Sequence, residues 1–162
     1  MNERAALITI SSSRAAGAPL GDESGARLLA FAERLGMEIA GAELIADERA
    51  LIEERLRHYS DLERCELILT SGGTGVSPTD VTPEATLAVI DREVPGIAHA
   101  MRDAAREHTA NWMLSRAVAG IRGASLVVNF PGSPASIDQS ADAIADALVH
   151  AVALIRGRPS AH

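Results

Sequence analysis

Short apolar stretches alternate with longer amphipathic stretches along this chain. The apolar stretches predict strands over 5–10, 38–45, 67–70 and 125–130. Apolar residues that recur every three or four positions predict helices over 25–35, 48–59, 83–92, 95–107 and 134–156. Strands that alternate with helices at this spacing favour an α/β fold, with a mostly parallel sheet and helices on both faces in three layers.

Three further segments carry weaker patterns. Residues 11–21 predict a loop of small residues that contains Arg14. Residues 108–123 contain glycines, and Ser115 and Arg116 within them fit either a loop or a short helix. The last residues, from about 157, predict a tail. At 162 residues, the chain is expected to be a single domain.

The third predicted strand runs into a glycine-rich loop that contains Gly72, Gly73 and Gly75. Such a loop turns tightly and leaves its backbone N–H groups open to an anion. It is neither a Walker A loop nor a G-x-G-x-x-G fingerprint, since the spacing differs and the 15 basic residues are all Arg. A tight turn without a ligand is the alternative. Asp80 favours an anion bridged by a metal, because Thr82 already fits as the N-cap of the next helix.

Other candidate residues also follow predicted strands. The carboxyl ends of parallel strands lie at one edge of a sheet, where ligands bind. We therefore expect Asp22, Asp47 and residues 129–133 to meet the glycine loop there, as needed for a phosphate ester held through a divalent cation. Each residue also has a simpler explanation: helix capping for Asp22 and Asp47, and solvent exposure for Arg14 and Arg116.

Composition narrows the range of functions. The formal net charge of −7 disfavours nucleic acid as a partner. Cys65, the sole cysteine, opens an apolar strand and is predicted to be a buried, inert thiol. The chain has neither a signal-peptide pattern nor a stretch of about 20 apolar residues, so we expect a soluble, cytoplasmic protein without a membrane span.

Three motifs, in this order, resemble the molybdopterin-binding family, which includes bacterial Mog and MoaB proteins and domains in plants and in gephyrin. They are 71–75 with 80–85, then 115–120, then 129–134. The resemblance extends from the first strand to the last helix. Three positions depart from it: Ser13 stands where many members have Asp, Ala105 where several have Ser, and Ala110 near where several have Pro.

The resemblance implies Mg²⁺-dependent transfer of AMP from ATP to the terminal phosphate of molybdopterin, with release of pyrophosphate. Asp47 and Asp80 match the family's essential acids, which hold magnesium and act in catalysis. The candidate substrate-binding residues are Ser12, Arg14, Asp22, Ser71, Gly72, Gly73, Thr74, Gly75, Glu84, Ser115, Arg116, Pro131, Gly132 and Ser133. The resemblance also implies a homotrimer and hand-over of the product to a molybdate-insertion protein.

Two other functions remain open on the same fold, because a fold does not fix a function. One is a non-catalytic molybdopterin-binding or carrier protein. The other is a scaffold module, as in gephyrin-type assemblies. The presence of both Asp47 and Asp80 favours the enzyme over the carrier.

Overall fold

A computed structural model describes residues 3–17 and 21–157. Within these ranges the strands are β1 (Arg4–Ile10), β2 (Glu38–Ile45), β3 (Leu67–Ser71), β4 (Arg92–Glu93), β5 (Ala119–Arg122) and β6 (Ser125–Phe130). The helices are α1 (Ser12–Ala15), α2 (Glu23–Arg34), α3 (Arg49–Arg57), α4 (Thr82–Val89), α5 (Pro95–Ala105) and α6 (Pro134–Ile155). A π-helical turn (His58–Leu62) follows α3, and a 3₁₀ turn (Trp112–Leu114) precedes β5.

The described strands form one sheet in the order β2-β1-β3-β6-β5-β4. The first four strands of this order run parallel, whereas β5 and β4 pair antiparallel. The prediction of a mostly parallel α/β sheet is therefore confirmed. The carboxyl ends of β1, β2, β3 and β6 share one edge, and the loops that leave them start side by side.

Helices cover both faces of the sheet. Alternate residues of β3 point to opposite sides: Leu67 and Leu69 pack in the cluster formed with α2, α5 and α6. Ile68 packs in the cluster formed with α3 and α4. All of β3 and β6 is buried, as expected for strands covered on both faces. The three-layer arrangement follows from this alternation.

The sequence did not predict the antiparallel pair β4–β5. The helix predicted over 83–92 ends earlier, at Val89, because the chain then extends beside β5. Asp91 and Val94 donate backbone hydrogen bonds of 2.7 and 2.8 Å to carbonyl oxygens of this strand region. A two-residue strand is too short to show a period. The turn between β5 and β6 begins at Gly123, whose φ of +53° suits a tight hairpin.

Of the three helix caps that the sequence suggests, Asp22 is present and two are wrong. Asp22 accepts a hydrogen bond from a backbone N–H group at the start of α2, and Ser133 does the same at the start of α6. Thr82 lies within α4, and its buried hydroxyl donates instead to the carbonyl of Gly72, 2.9 Å away. Asp47 does not cap α3, because its carboxylate binds Ser12. Tertiary partners outcompete local capping in both cases.

Two other expectations concern burial and membranes. Cys65 is fully buried, and burial raises the pKa of its thiol to about 11, which favours the protonated, unreactive form. Within residues 3–17 and 21–157, no helix has the length and apolar character needed to cross a membrane.

Candidate active site

The loops at the shared edge of the sheet are joined by backbone hydrogen bonds. Ser11, after β1, donates to the carbonyl of Ile45 at the end of β2, at 2.9 Å. Gly72, after β3, donates to the carbonyl of Phe130 at the end of β6, at 3.2 Å. Residues that are distant in the sequence are therefore held together at this edge.

The glycine loop begins with two residues in the left-handed region. Gly72 has a φ of +102° and Gly73 a φ of +65°. A Cβ on Gly72 would collide with the carbonyl oxygen of Ile10, so backbone conformation and space both require glycine there. A Cβ on Gly132 would lie 3.4 Å from the Cα of Gly72, which shows how closely the loop after β6 approaches.

Asp47 is held at the edge by the loop that follows β1. Its Oδ2 accepts hydrogen bonds from the backbone N–H of Ser12 (2.7 Å) and from the Ser12 hydroxyl (3.0 Å). The backbone N–H of Asp47 donates to the same hydroxyl at 2.9 Å. Oδ1 lies on the side of the glycine loop, since a Cβ on Gly73 would be 3.2 Å from it. One carboxylate oxygen is thus fixed, and the other faces the loop.

Asp80 lies at the far end of the same loop. Its Oδ2 accepts from the backbone N–H of Ser77 at 2.9 Å, and its own N–H donates to the Ser77 carbonyl at 3.0 Å. A Cβ on Gly75 would lie 2.9 Å from Asp80 Oδ2. The structure therefore places Asp47 beside Gly73 and Asp80 beside Gly75, and both acids border one glycine loop.

Arg116 contacts this loop through its backbone and its side chain. Its N–H donates to the carbonyl of Thr74 at 2.8 Å. Its guanidinium donates to the carbonyls of Gly75 (2.6 Å) and Asp80 (2.7 Å) and forms an ion pair with Glu84. The hydrogen bond from Arg116 holds the pKa of the Glu84 carboxyl below its ordinary value. Two predicted site residues, Arg116 and Glu84, are thus paired with each other.

A second turn, residues 131–133, follows β6 at the same edge. The hydroxyl of Ser71 donates to the carbonyl of Pro131 at 2.9 Å. Ser24, which is fully buried, donates to the carbonyl of Gly132 at 2.8 Å and accepts from Arg14 at 3.3 Å. The start of α2, with Arg14 nearby, is thereby joined to this turn.

The sequence did not single out Ser24 as part of the site. A polar residue two positions after the Asp22 cap would normally face solvent in the first turn of α2. The signal that could have identified it is the small pair Ser24-Gly25, which allows another segment of the chain to approach closely. A Cβ on Gly25 would lie 2.9 Å from the hydroxyl of Thr9 in β1, so the approach is close.

Asn129 joins a buried polar network behind the loops. Its amide nitrogen donates to the hydroxyls of Thr70 (3.0 Å) and Thr86 (2.9 Å). Its Oδ1 accepts from the N–H of Val118 at 3.2 Å. Because a buried amide is costly unless it is paired, this network fixes β3, α4 and the segment that carries Arg116 relative to one another.

Ser115 lies beside a cavity of about 120 Å³ next to the second turn. The cavity is lined by Met101, Arg102, Ala105, Thr109, Asn111, Trp112, Ser115, Pro131, Ser136 and Ser140. Arg102 donates to the carbonyls of Ser115 (3.3 Å) and Ala117 (3.2 Å), which fixes the cavity wall. An apolar cavity with a few polar groups therefore adjoins the glycine-loop edge.

The pair of carboxylates suits one class of metal. Mg²⁺ is commonly held by one or two carboxylates together with substrate phosphates. Asp47 Oδ1 accepts no hydrogen bond from the described residues and faces the loop that would receive a phosphate. In the described part of the chain, no group of three or more His, Cys, Asp or Glu residues is placed to hold a metal.

Comparison with known proteins identifies the family to which this fold belongs. The family described as "Probable molybdopterin binding domain" matches residues 6–150, a range that contains every candidate site residue. The chain belongs to this family of molybdopterin-binding domains.

Within this molybdopterin-binding family, a molybdopterin adenylyltransferase of Helicobacter pylori (strain J99) is 43% identical over 115 residues. The alignment covers 71% of this chain and 65% of that protein. A molybdopterin adenylyltransferase of Escherichia coli K12 is 46% identical over 104 residues, which cover 64% of this chain and 53% of that protein. The matched region thus spans less than two thirds of either relative.

A solved structure of the molybdopterin-binding family supports the likeness over the whole described fold. The molybdopterin biosynthesis enzyme MoaB of Thermus thermophilus superimposes with a TM-score of 0.90 at 40% identity. The superposition covers 98% of this chain and 99% of that one.

Proposed function

We propose that this chain is a molybdopterin adenylyltransferase that moves AMP from ATP to the terminal phosphate of molybdopterin and releases pyrophosphate. Two relatives that bear this name support the proposal. The observation that carries it is the position of Asp47 and Asp80, on either side of one glycine loop at the edge where ligands bind.

In this proposal the polyphosphate of ATP lies against the glycine loop. The N–H of Gly72 itself donates to Phe130, but the backbone N–H groups that follow it, from Gly73 on, supply a local positive field, which the chain needs because its net charge is −7. Asp47 and Asp80 would hold a Mg²⁺ ion together with phosphate oxygens. When bound, such an ion neutralises negative charge on the polyphosphate.

Molybdopterin would lie next to the nucleotide. The cavity beside Ser115 and Pro131 offers apolar walls and a half-buried Trp112 for a flat pterin ring. The second turn, which ends at Ser133, the N-cap of α6, would receive the terminal phosphate. Arg14 is joined to this turn through Ser24.

The chemistry needs no covalent protein nucleophile. A terminal phosphate oxygen of molybdopterin forms a bond to the α-phosphorus of ATP, and the bond from that phosphorus to the β-phosphate oxygen breaks. Pyrophosphate leaves with the electron pair of the broken bond. The chain's own residues orient the two phosphates and stabilise developing charge, which accounts for most of the catalysis in such transfers. A lysyl-adenylate route is excluded because the sequence has no Lys.

The test is release of pyrophosphate by the purified protein with molybdopterin, Mg²⁺ and α-labelled ATP. The proposal expects label on molybdopterin and release that requires both substrates. Asp146→Asn serves as the matched control, because Asp146 is exposed on α6, outside the site. ATP hydrolysis without transfer, or no release at all, would contradict the proposal.

The carrier alternative makes a different prediction for the same samples. Trp112, the chain's single Trp, lines the cavity and reports occupancy through its fluorescence. A carrier would quench Trp112 with molybdopterin but release no pyrophosphate on addition of ATP. An enzyme would show quenching and release together.

The resemblance also supports three proposals about organisation: a homotrimer, a single folding unit, and hand-over of adenylylated product to a molybdate-insertion protein in the cytoplasm. Light scattering coupled to gel filtration tests the trimer, which requires a mass near three times 17.0 kDa. One cooperative thermal transition is expected for a single folding unit.

A further inference from the structure

Arg116 and Glu84 form an ion pair, the Arg116–Glu84 pair, at the base of the loop that carries Asp80. Each guanidinium nitrogen of Arg116 has a protein acceptor. Nε donates to Gly75, Nη2 donates to the carbonyl of Asp80, and Nη1 pairs with Glu84. The side chain thus joins the first and last residues of the segment 75–80.

We propose that the Arg116–Glu84 pair positions Asp80, rather than binding the phosphates of the nucleotide directly. The inference rests on the proposed function, since it concerns an acid that acts on the nucleotide there. It differs from the role that the family resemblance implies for Arg116 and Glu84, which is direct contact with substrate.

The segment 75–80 has little else to hold it. Residues 76–79 are exposed, and Val76 is 64% exposed although it is apolar. The other hydrogen bonds of the segment are internal, between Ser77 and Thr79 or Asp80. Among the described residues, the hydrogen bonds that reach 75–80 from elsewhere come from Arg116.

The planar guanidinium is suited to this task. Its N–H groups lie in a rigid fork, so two carbonyls and a carboxylate can be held in one fixed arrangement. Hydrogen bonds that involve a charged group are also stronger than neutral ones. A lysine would supply the charge but not the fork.

Glu84 keeps the fork in place. It projects from the first turn of α4, and its carboxylate pairs with Nη1. Without this counter-charge, the guanidinium would be drawn to any nearby phosphate and away from the carbonyls of Gly75 and Asp80. The pairing with Glu84 therefore favours a positioning role for Arg116 over a substrate-binding role.

Hydrogen exchange of the substrate-free protein tests the proposal directly. In Arg116→Gln, the backbone amides of Ser77 and Asp80 should exchange about tenfold faster, as expected when charge-assisted hydrogen bonds are lost. Arg34→Gln is the matched control, because Arg34 forms an exposed ion pair with Asp142 away from the site. Unchanged exchange in Arg116→Gln would overturn the proposal.

Kinetics separate positioning from phosphate binding. If Arg116 positions Asp80, kcat should fall about 10- to 100-fold in Arg116→Gln while the KM for ATP changes little. Lysine at this position, in Arg116→Lys, should not restore kcat. Phosphate binding predicts a raised KM for ATP and rescue by lysine, which binds phosphate as a point charge. The second pattern would contradict the proposal.

Glu84→Gln supplies an independent variant in case Arg116→Gln loses its fold. It should raise the exchange of Ser77 and Asp80 in the same direction, and protection like that of the unmodified protein would contradict the proposal. Because exchange is measured without substrates, faster exchange together with an inactive unmodified protein would mean that the positioning holds and the adenylyl transfer does not.

Discussion

The two acids at the glycine loop are held in different ways. Asp47 is held by its carboxylate, which accepts two hydrogen bonds from Ser12. Asp80 is held by its backbone, since Arg116 binds its carbonyl, while its carboxylate bonds only to Ser77 of its own loop among the described residues. The same chemical group is thus fixed by two unrelated arrangements.

The difference follows from distance to the sheet. Asp47 is separated from the end of β2 by a single residue, and Ser12 stands equally close to the end of β1. Pairing of β1 with β2 therefore sets both residues. Asp80 follows a long loop after β3, so strand pairing does not determine its position. An acid far from the sheet needs a side chain from another part of the chain to place it.

The largest expected effect comes from removing either acid. Asp47→Asn and Asp80→Asn should each lower turnover at least about 100-fold, because charge stabilisation of the transition state is lost. Neither should lower the melting temperature by more than a few degrees, since both side chains are partly exposed. Pyrophosphate release and thermal denaturation measure these two effects. Full activity in one variant would remove that acid from the mechanism.

The loop between the acids gives the next largest effect. Gly72→Ala should destabilise the protein by about 1–3 kcal/mol, because φ is positive and a Cβ would meet the carbonyl of Ile10. Gly132→Ala, with its nearest contact at 3.4 Å, should cost less than about 1 kcal/mol. Urea denaturation of both variants measures the difference. Equal stabilities would show that the glycine loop is not held as described.

A smaller effect is expected from Ser12→Ala, which weakens the hold on Asp47. The backbone N–H of Ser12 still donates to Asp47 Oδ2, so only the hydroxyl contacts are lost. We expect kcat to fall about three- to tenfold, because the two hydrogen bonds of the hydroxyl are lost while the backbone contact remains. This loss should be smaller than that of Arg116→Gln. The reverse order in steady-state kinetics would contradict the comparison of the two acids.

Low pH should weaken the Arg116–Glu84 pair and therefore its hold on Asp80. Arg116 lowers the folded-state pKa of Glu84 below its ordinary 4.5, so the pair stabilises the fold above that value. The stabilisation is lost as the pH falls from 4.5 through the lowered pKa. The difference in melting temperature between the unmodified protein and Glu84→Gln should therefore shrink below pH 4.5. A constant difference from pH 7 to pH 3 would contradict this.

The titration of Tyr59 should respond least to changes at the site, so it serves as a control for folding. Burial, aided by Glu43, raises its pKa to about 12 from an ordinary 10.0. The fold favours the neutral phenol, so stability should fall as the pH rises from 10 to 12. Tyr59 is the chain's one Tyr, and the pH-dependent change in absorbance at 295 nm follows its ionisation, because the single Trp does not titrate. Variants at Asp47, Asp80 and Arg116 should keep the midpoint near 12, whereas a midpoint near 10 would mean that the fold is lost.

Much of the fold follows from local pattern. β1, β3 and β6 are buried over all or nearly all of their length, whereas the edge strand β2 is mostly part-exposed. The alternation of these strands with helices predicts the mostly parallel sheet. The pair β4–β5 does not follow, because β4 exists only through backbone hydrogen bonds to distant residues. Thr82 is a second feature that local pattern does not predict. Its place in the sequence fits an N-cap, but its hydroxyl donates to the carbonyl of Gly72.

The site follows from the sequence to a similar extent. The rule that parallel strands end at one edge predicts that Asp47 and the glycine loop meet. The partners of Arg116 could not be predicted, because they depend on how the loop 75–80 folds back and not on spacing. Ser24 was missed for the same reason: its partner, the carbonyl of Gly132, lies in another loop.

Binding of Mn²⁺ together with a non-hydrolysable ATP analogue tests the central claim most directly, because electron paramagnetic resonance counts the bound ion without any turnover. The account predicts one protein-bound ion in the presence of the analogue. Asp47→Asn and Asp80→Asn should each weaken its binding at least about tenfold, whereas Asp146→Asn should not. Equal binding by the unmodified protein and both site variants would show that the two acids do not share a metal–polyphosphate site.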